Sequence, residues 1–347
     1  MDSGSVFASK QARETKQAVS SLRLRILLPI LRWTVKRRLS RVQDVRELRR
    51  DFALTIRRLP GDMQISMKEL GGVQTEHLCT HHSTAGVVKA LPTTLLYLHG
   101  GAYLGCSPAT HRPITSFFAR AGFEVYAPAY RLAPENPFPA AVEDALAVYR
   151  ALLDSGIPPA CLVIAGDSAG GGLALSLMLA AKQAGLPLPV AAALFSPWTD
   201  LAATGASLRY NAHRDVMLDG NVSRAATLYL QGADPYHPLA SPLYGALDGL
   251  PPLLIEVGAD EVLLDDACRL TERVRNSGGT VDLRIWPKVP HAFQIFATFL
   301  PESRDSLRRT SRFLHRMAGD GDRQALQTTF PPIAEDEAML GKALSFP

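Results

Sequence analysis

The sequence is poor in cysteine, in aromatic residues and in long apolar runs. Its four cysteines, Cys79, Cys106, Cys161 and Cys268, are scattered among 347 residues with no C-x-x-C spacing. That argues against a disulfide framework and against a thiolate zinc site, so no metal is expected and a reducing cytoplasm is the simplest compartment. Aromatic residues make up 7% of the chain, and none interleaves with the N-terminal arginines as a base-stacking platform would need, so nucleic acid is not an expected partner. The most membrane-like run, Ile26 to Leu31, is six residues long between Arg25 and Arg32. It is too short for a transmembrane helix, and no signal-peptide apolar region or small-residue cleavage site follows it.

What is present in quantity is apolar residue, 47% of the chain against 20% charged, which describes a globular protein with a sizeable core. The net charge of +4 hides an asymmetry. Residues 1–60 hold 15 Lys and Arg against 5 Asp and Glu, a balance of +10, which leaves residues 61–347 with 22 against 28, a balance of −6. Residues 3–58 read as helical, with Leu22, Leu24, Ile26, Leu27, Ile30, Leu31, Trp33 and Val35 set between arginines and with Pro29 as an interruption or bend. One reading of residues 1–60 is a helical cap folded back over a site entrance, its arginines in solvent. A second is a basic amphipathic helix that makes weak contact with an anionic membrane or a partner. A third is a mitochondrial presequence, because residues 3–13 lack acids and carry Lys10 and Arg13.

From residue 61 the chain alternates strand and helix without an internal repeat. Met63 to Leu70 and Val73 to Thr80 form a hairpin signal across Gly71-Gly72. Apolar strands follow at Thr94–Leu98, Glu124–Ala129, Leu162–Ala165, Val190–Phe195, Leu253–Gly258 and Val281–Trp286, with a helix expected from Ala140 to about Leu153. This pattern predicts a mostly parallel sheet covered by helices on both faces. Residues 61–317 are the expected catalytic domain. Within it, 199–250 lose periodicity and read as an insertion that contributes to the cap, and 318–347 read as a loosely held tail.

The strand at Leu162 runs into Gly166-Asp167-Ser168-Ala169-Gly170 and then into a helix. A G-x-S-x-G pattern in strand–turn–helix context is the setting of an exposed nucleophilic serine. The alternative, a phosphate-binding loop, would need a lysine after the glycines or a G-x-G-x-x-G spacing, and neither occurs. Serine needs a base to take its proton, and a histidine oriented by a carboxylate serves that role. Of the nine histidines, His77, His81 and His82 lie near the hairpin and read as exposed, His111 starts a helix, His237 lies in the insertion and His315 in a basic C-terminal helix. Only His291 follows a late strand with a loop to position it. Asp260, at the end of the Leu253 strand, is the expected acid, with Glu261, Asp265 and Asp266 as rivals. Amides of Ala169 and of the His99-Gly100-Gly101-Ala102 stretch are the expected donors to an oxyanion. Tyr103, Trp198, Tyr210, Met217 and Phe293 are candidates for lining a substrate pocket, with core packing an equal account of each.

His99-Gly-Gly-Ala-Tyr, Tyr130-Arg-Leu-Ala-Pro-Glu, Phe138-Pro-Ala-Ala, Gly166-Asp-Ser-Ala-Gly-Gly, Asp260-Glu-Val-Leu-Leu-Asp-Asp and His291-Ala-Phe together resemble the hormone-sensitive-lipase family of esterases, over roughly residues 60–316. The resemblance implies an α/β-hydrolase fold with an eight-stranded sheet and an N-terminal helical cap. It also implies hydrolysis of short- to medium-chain acyl esters without a cofactor. It places nucleophile, acid and base on Ser168, Asp260 and His291 and the oxyanion donors on Gly100, Gly101 and Ala169. Two departures stand out: Ala102 replaces the third glycine of the family's H-G-G-G, and Asn136 replaces a usual histidine. A lactone hydrolase with the same triad, and a non-catalytic ligand-binding protein of the same fold, are the alternatives. A homodimer is compatible with either.

Overall fold

Alternating apolar strands and helices can bury both faces of the strands only by layering helices above and below one sheet, and that is the arrangement found. The computed structural model describes residues 20–39, 44–53, 61–80, 92–219 and 222–319. Eight strands, β1 Met63–Leu70, β2 Val73–Thr80, β3 Thr94–Leu98, β4 Glu124–Pro128, β5 Leu162–Asp167, β6 Ala191–Phe195, β7 Leu253–Gly258 and β8 Val281–Trp286, form a single sheet in the order β1-β2-β4-β3-β5-β6-β7-β8. The first two strands pair antiparallel with their neighbours, and β3 through β8 run parallel. Every residue of β3, β5, β6 and β7 is buried, as a parallel strand covered on both sides requires.

Side chains alternate between the two faces. Leu96, Leu98, Ile164, Leu194, Ile255 and Val257 enter one core, with α4 Ala140–Asp154, α5 Ala169–Gln183 and α8 Leu264–Asn276. Leu95, Tyr97, Val163, Ala193, Phe195 and Leu254 enter the other, with α3 Arg112–Arg120 and α9 Pro301–Met317. The remaining helices are α1 Leu22–Leu31, α2 Val45–Ala53, α6 Ser207–Tyr210 and α7 Val222–Leu230. No helix among the described residues is long and apolar enough to cross a membrane.

The N-terminal helices lie against the body. Pro29 sits inside α1, which passes into a π-helical turn at Arg32–Lys36 and ends at Leu39. Leu24 and Leu31 are buried, and Leu24 packs with Val289, Phe293 and Leu300. Full burial of each leucine contributes roughly 1.5–3 kcal/mol. Ser21 donates to Glu302, Arg32 to the Arg214 carbonyl at 2.9 Å, and Lys36 to the carbonyls of Ala212 and Asp215 at 2.5 and 2.8 Å. From α2, Arg49 donates to the carbonyls of Leu104 and Ala133 and pairs with Glu135. The presequence reading of residues 3–13, the 320–347 part of the tail, and His81 and His82 fall outside the described residues. His77, expected in solvent, is half-buried: its ring stacks on Tyr126 and bonds Glu124.

Candidate active site

The serine turn is built by close backbone approach. A Cβ on Gly166 would lie 2.3 Å from the Gly170 carbonyl oxygen, and one on Gly170 would lie 2.1 Å from that of Leu98, so neither position accepts a side chain. Between them Ser168 adopts φ 53° and ψ −123°, a region that L-residues rarely enter. Such strain is of order 1–3 kcal/mol and persists only where the surroundings enforce it. Here its amide donates to the Phe195 carbonyl at 2.8 Å, and its own carbonyl accepts from Trp198 and Gly172. Ser168 is half-buried at the N-terminus of α5, where unpaired amides and the helix dipole favour negative charge.

The histidine and its carboxylate partner come from the ends of β8 and β7. His291, 5% exposed, faces Glu261 Oε2 through Nδ1 at 2.7 Å, which leaves Nε2 as the free ring nitrogen. Asp260, the acid expected from sequence, is elsewhere. Its side chain is 38% exposed, 4.0 Å from Arg214, and borders a cavity of about 320 Å³ with Arg32 and Lys288. The cause is the tight turn after β7. The Glu261 amide donates to the Gly258 carbonyl at 3.2 Å, so the third residue of the turn points out and the fourth folds inward. Glu261 Oε1 then accepts from the Gly258 amide at 2.5 Å, and a Cβ on Gly258 would stand 2.9 Å from that oxygen. Residues 211 and 215 hold this turn: Asn211 donates to the carbonyls of Ala259 and Glu261, and Asp215 accepts from the Val262 amide. The rivals Asp265 and Asp266 are used structurally. Asp265 takes bonds from Ser207 and Tyr210, while buried Asp266 takes the amides of Thr199 and Asp200, its carboxyl pushed up to about 7 chiefly by burial.

Ser196 ties the pieces together, and sequence reasoning missed it. It follows β6 at φ 45°, and its amide donates to the Glu256 carbonyl. Its Oγ donates to Glu261 Oε1 at 2.8 Å and accepts from the Ala292 amide at 3.1 Å. The carbonyl just before it, on Phe195, is the one that receives the Ser168 amide. One residue thereby fixes the histidine loop and the acid turn against the serine turn.

Electrostatics at this pair oppose burial to mutual attraction. Burial disfavours the charged imidazole, but the hydrogen bond and charge of Glu261, aided by Asp215 and Asp167, outweigh it and hold His291 above its ordinary value. Burial pushes the Glu261 carboxyl up, and His291 only partly offsets that.

The loop after β3 also differs from expectation at one residue. Gly100 is buried and its amide donates to Asp167 Oδ1 at 3.1 Å, so it is not free to serve an oxyanion. Gly101 and Ala102 are half-exposed, and their amides meet no acceptor among the described residues. Asp167 anchors this loop. It also takes the Tyr97 hydroxyl at 2.6 Å and faces His111 at 3.2 Å. Despite burial, His111 and Tyr97 keep its carboxyl below the usual range. His99 is buried, stacked on Tyr130, and held neutral at about 3, first by desolvation and then by the nearby His111.

Of the five pocket candidates, two gather by the serine turn. Trp198 is bonded to it through its amide, and Tyr103 lies with its ring 6.2 Å from that of Trp198. Tyr103 also stacks on Tyr229 at 3.9 Å, and the Tyr229 hydroxyl and Trp198 Nε1 are buried with no partner among the described residues. Tyr229 carried no signal in the sequence, since nothing in the helix pattern of 222–230 marks it. Tyr210 is 47% exposed and bonded to Asp265, Phe293 is core beneath α1, and Met217 lies half-buried in the loop that Asp215 caps.

Comparison with known proteins agrees with this fold. A family model described as the alpha/beta hydrolase fold matches residues 95–295. An acetyl-hydrolase of Streptomyces hygroscopicus is 49% identical over 230 residues, 66% of this chain and 77% of that protein. An esterase of Acinetobacter venetianus is 35% identical over 254 residues, 72% of this chain and 82% of that protein. Among solved structures, an esterase of the bacterial hormone-sensitive lipase family superposes with a TM-score of 0.79 at 41% identity. It covers 87% of this chain and 100% of its own. The esterase EstE5, solved after soaking with p-nitrophenyl butyrate, gives 0.81 at 38% identity over 86% of this chain and 100% of its own.

Proposed function

The chain belongs to the hormone-sensitive-lipase family of α/β-hydrolase-fold esterases, a carboxylic ester hydrolase, and on that premise we propose that it works through an acyl-enzyme on Ser168. Ser168 Oγ attacks the acyl carbon as His291 Nε2 takes its proton. Glu261 carries the acid role, holding the imidazole in the tautomer with a proton on Nδ1 and stabilising the imidazolium. Gly101, Ala102 and Ala169 amides receive the developing oxyanion, Ala169 from the N-terminus of α5. His291 then gives its proton to the leaving alcohol, and in the second half activates water that releases the acid and frees Ser168. The observation that carries this reading is the buried 2.7 Å contact between His291 Nδ1 and Glu261, locked through Ser196 to the strained serine turn.

The substrate is a small acyl ester of short or medium chain length. Support comes from the aromatic cluster of Tyr103, Trp198 and Tyr229, which fills the space beside the serine turn. The four thiols are unpaired, which supports a reducing compartment. Initial rates on p-nitrophenyl esters from acetate to palmitate, with Ser168→Ala alongside, test the proposal. A maximum at short or medium chains that vanishes in the variant is expected. A folded Ser168→Ala protein that still turns over these esters would remove the nucleophile assignment. Preference for a seven-membered lactone over the linear ester of the same acid would move the substrate to lactones.

A further inference from the structure

Leu22, Ile26, Pro29 and Trp33 recur at i, i+4, i+7 and i+11, the spacing that sets side chains on one face of a helix. All four are exposed: Leu22 and Trp33 at 70% and Ile26 at 43%, among the most exposed large apolar side chains described. The stripe is roughly 16 Å long at the rise of a helix. Exposed Arg23, Arg25 and Arg32 lie along it, and Arg23 and Arg32 also donate to the carbonyls of Phe299 and Arg214 on the body. The opposite face of α1 carries buried Leu24 and Leu31, and the bonds from Ser21, Arg32 and Lys36 fasten the helix to the body. The outward face is thus a fixed presentation of apolar residues ringed by positive charge, on a segment whose first 60 residues carry a balance of +10.

We propose that this face of α1 docks on an anionic phospholipid surface. Trp33, Ile26 and Leu22 would enter the boundary between headgroups and acyl chains, and the bordering arginines would meet lipid phosphates. Charge complementarity selects that occupant: residues 20–39 hold six Lys and Arg and no Asp or Glu, and an anionic bilayer offers apolar depth and negative charge in the same plane. The helix packs on Val289 and Phe293, which flank His291, so docking would hold the catalytic loop near the membrane. The proposal does not depend on the chemistry at Ser168.

The test is co-sedimentation of the full chain with vesicles of equal phosphatidylglycerol and phosphatidylcholine, and with phosphatidylcholine alone. Tryptophan emission is read in parallel, because Trp198 is buried, Trp286 is half-buried and Trp33 is 70% exposed. Binding to the anionic vesicles is expected, with a blue shift and with release at high salt. The variant Leu22→Ser, Ile26→Ser, Trp33→Ser should lose at least about tenfold in vesicle partition while hydrolysing a soluble acetate ester at the unaltered rate. Point substitutions are needed because deleting α1 would also remove the Lys36 anchor on residues 212–215. Absence of binding at low salt, equal binding by the triple variant, or equal binding to uncharged vesicles would each overturn the proposal. So would a concentration-dependent dimer that the triple variant loses, since the stripe would then belong to a second copy of the chain.

Discussion

Adjacent carboxylates at the end of β7 make opposite predictions, and two single substitutions separate them. Glu261→Gln keeps the side-chain shape but removes the charge that faces His291 at 2.7 Å inside a buried pair. Breaking one partner of such a pair costs about 3–5 kcal/mol. At 1.36 kcal/mol per factor of ten, a loss felt mainly in the transition state lowers kcat by roughly 10²–10⁴. Asp260→Asn touches a side chain that is 38% exposed and 4.0 Å from Arg214. An exposed pair of that kind is worth about 0–1 kcal/mol, so the rate should change by less than about fivefold. Initial rates on p-nitrophenyl acetate, with circular dichroism to show that both variants fold, make the comparison. Glu261→Asp should fall between them, since the charge is kept but the carboxylate is withdrawn by one methylene. If Asp260→Asn loses a hundredfold while Glu261→Gln keeps a tenth or more of the rate, the assignment of the acid fails.

Four further outcomes rest on the same geometry. His291 must be neutral to act as base and its proton is held more tightly than usual, so kcat/KM should rise with pH through a midpoint above the ordinary 6.5. In Glu261→Gln the partner that holds the proton is gone and burial alone acts, so that midpoint should move to lower pH; an unmoved midpoint would mean another group titrates. Ser196→Ala leaves the Ala292 amide unpaired and removes one bond from Glu261 Oε1, which should lower kcat about tenfold with little change in KM. A loss confined to KM would refute its positioning role. Asp167→Ala releases the Gly100 amide and leaves Tyr97 and His111 without their buried acceptor, so both kcat and Tm should fall; activity kept at the wild-type level would show that the Gly101–Ala102 loop holds its shape unaided.

The strands and the serine turn were legible because local chemistry determines them. Continuous apolar runs predict the buried parallel strands, and β7 and β8 fall at Leu253–Gly258 and Val281–Trp286 as read. Gly166 and Gly170 bracket Ser168 because no other residue fits there. His291 was reachable by its place after the last strand. The carboxylate that pairs with His291 was not, because Asp260 and Glu261 are chemically alike and neighbours in sequence, and which one turns inward is set by bonds across the Gly258 turn and from the distant Ser196, Asn211 and Asp215. Gly100 was misread for a related reason: a glycine pair shows where backbone comes close, but not which amide Asp167 has already taken. Ser196 and Tyr229 gain their roles from chain segments 65 to 126 residues away, and no local pattern records that.

Lys36 links the N-terminal helix to the carbonyls of Ala212 and Asp215, and Asp215 in turn receives the Val262 amide beside Glu261. Trimming the N-terminus to obtain a tidier protein would therefore be an alteration of the active site made from a distance. A shortened enzyme would keep its serine turn and its strands, yet lose the brace behind Glu261. Its reduced turnover would then be mistaken for a fault of preparation.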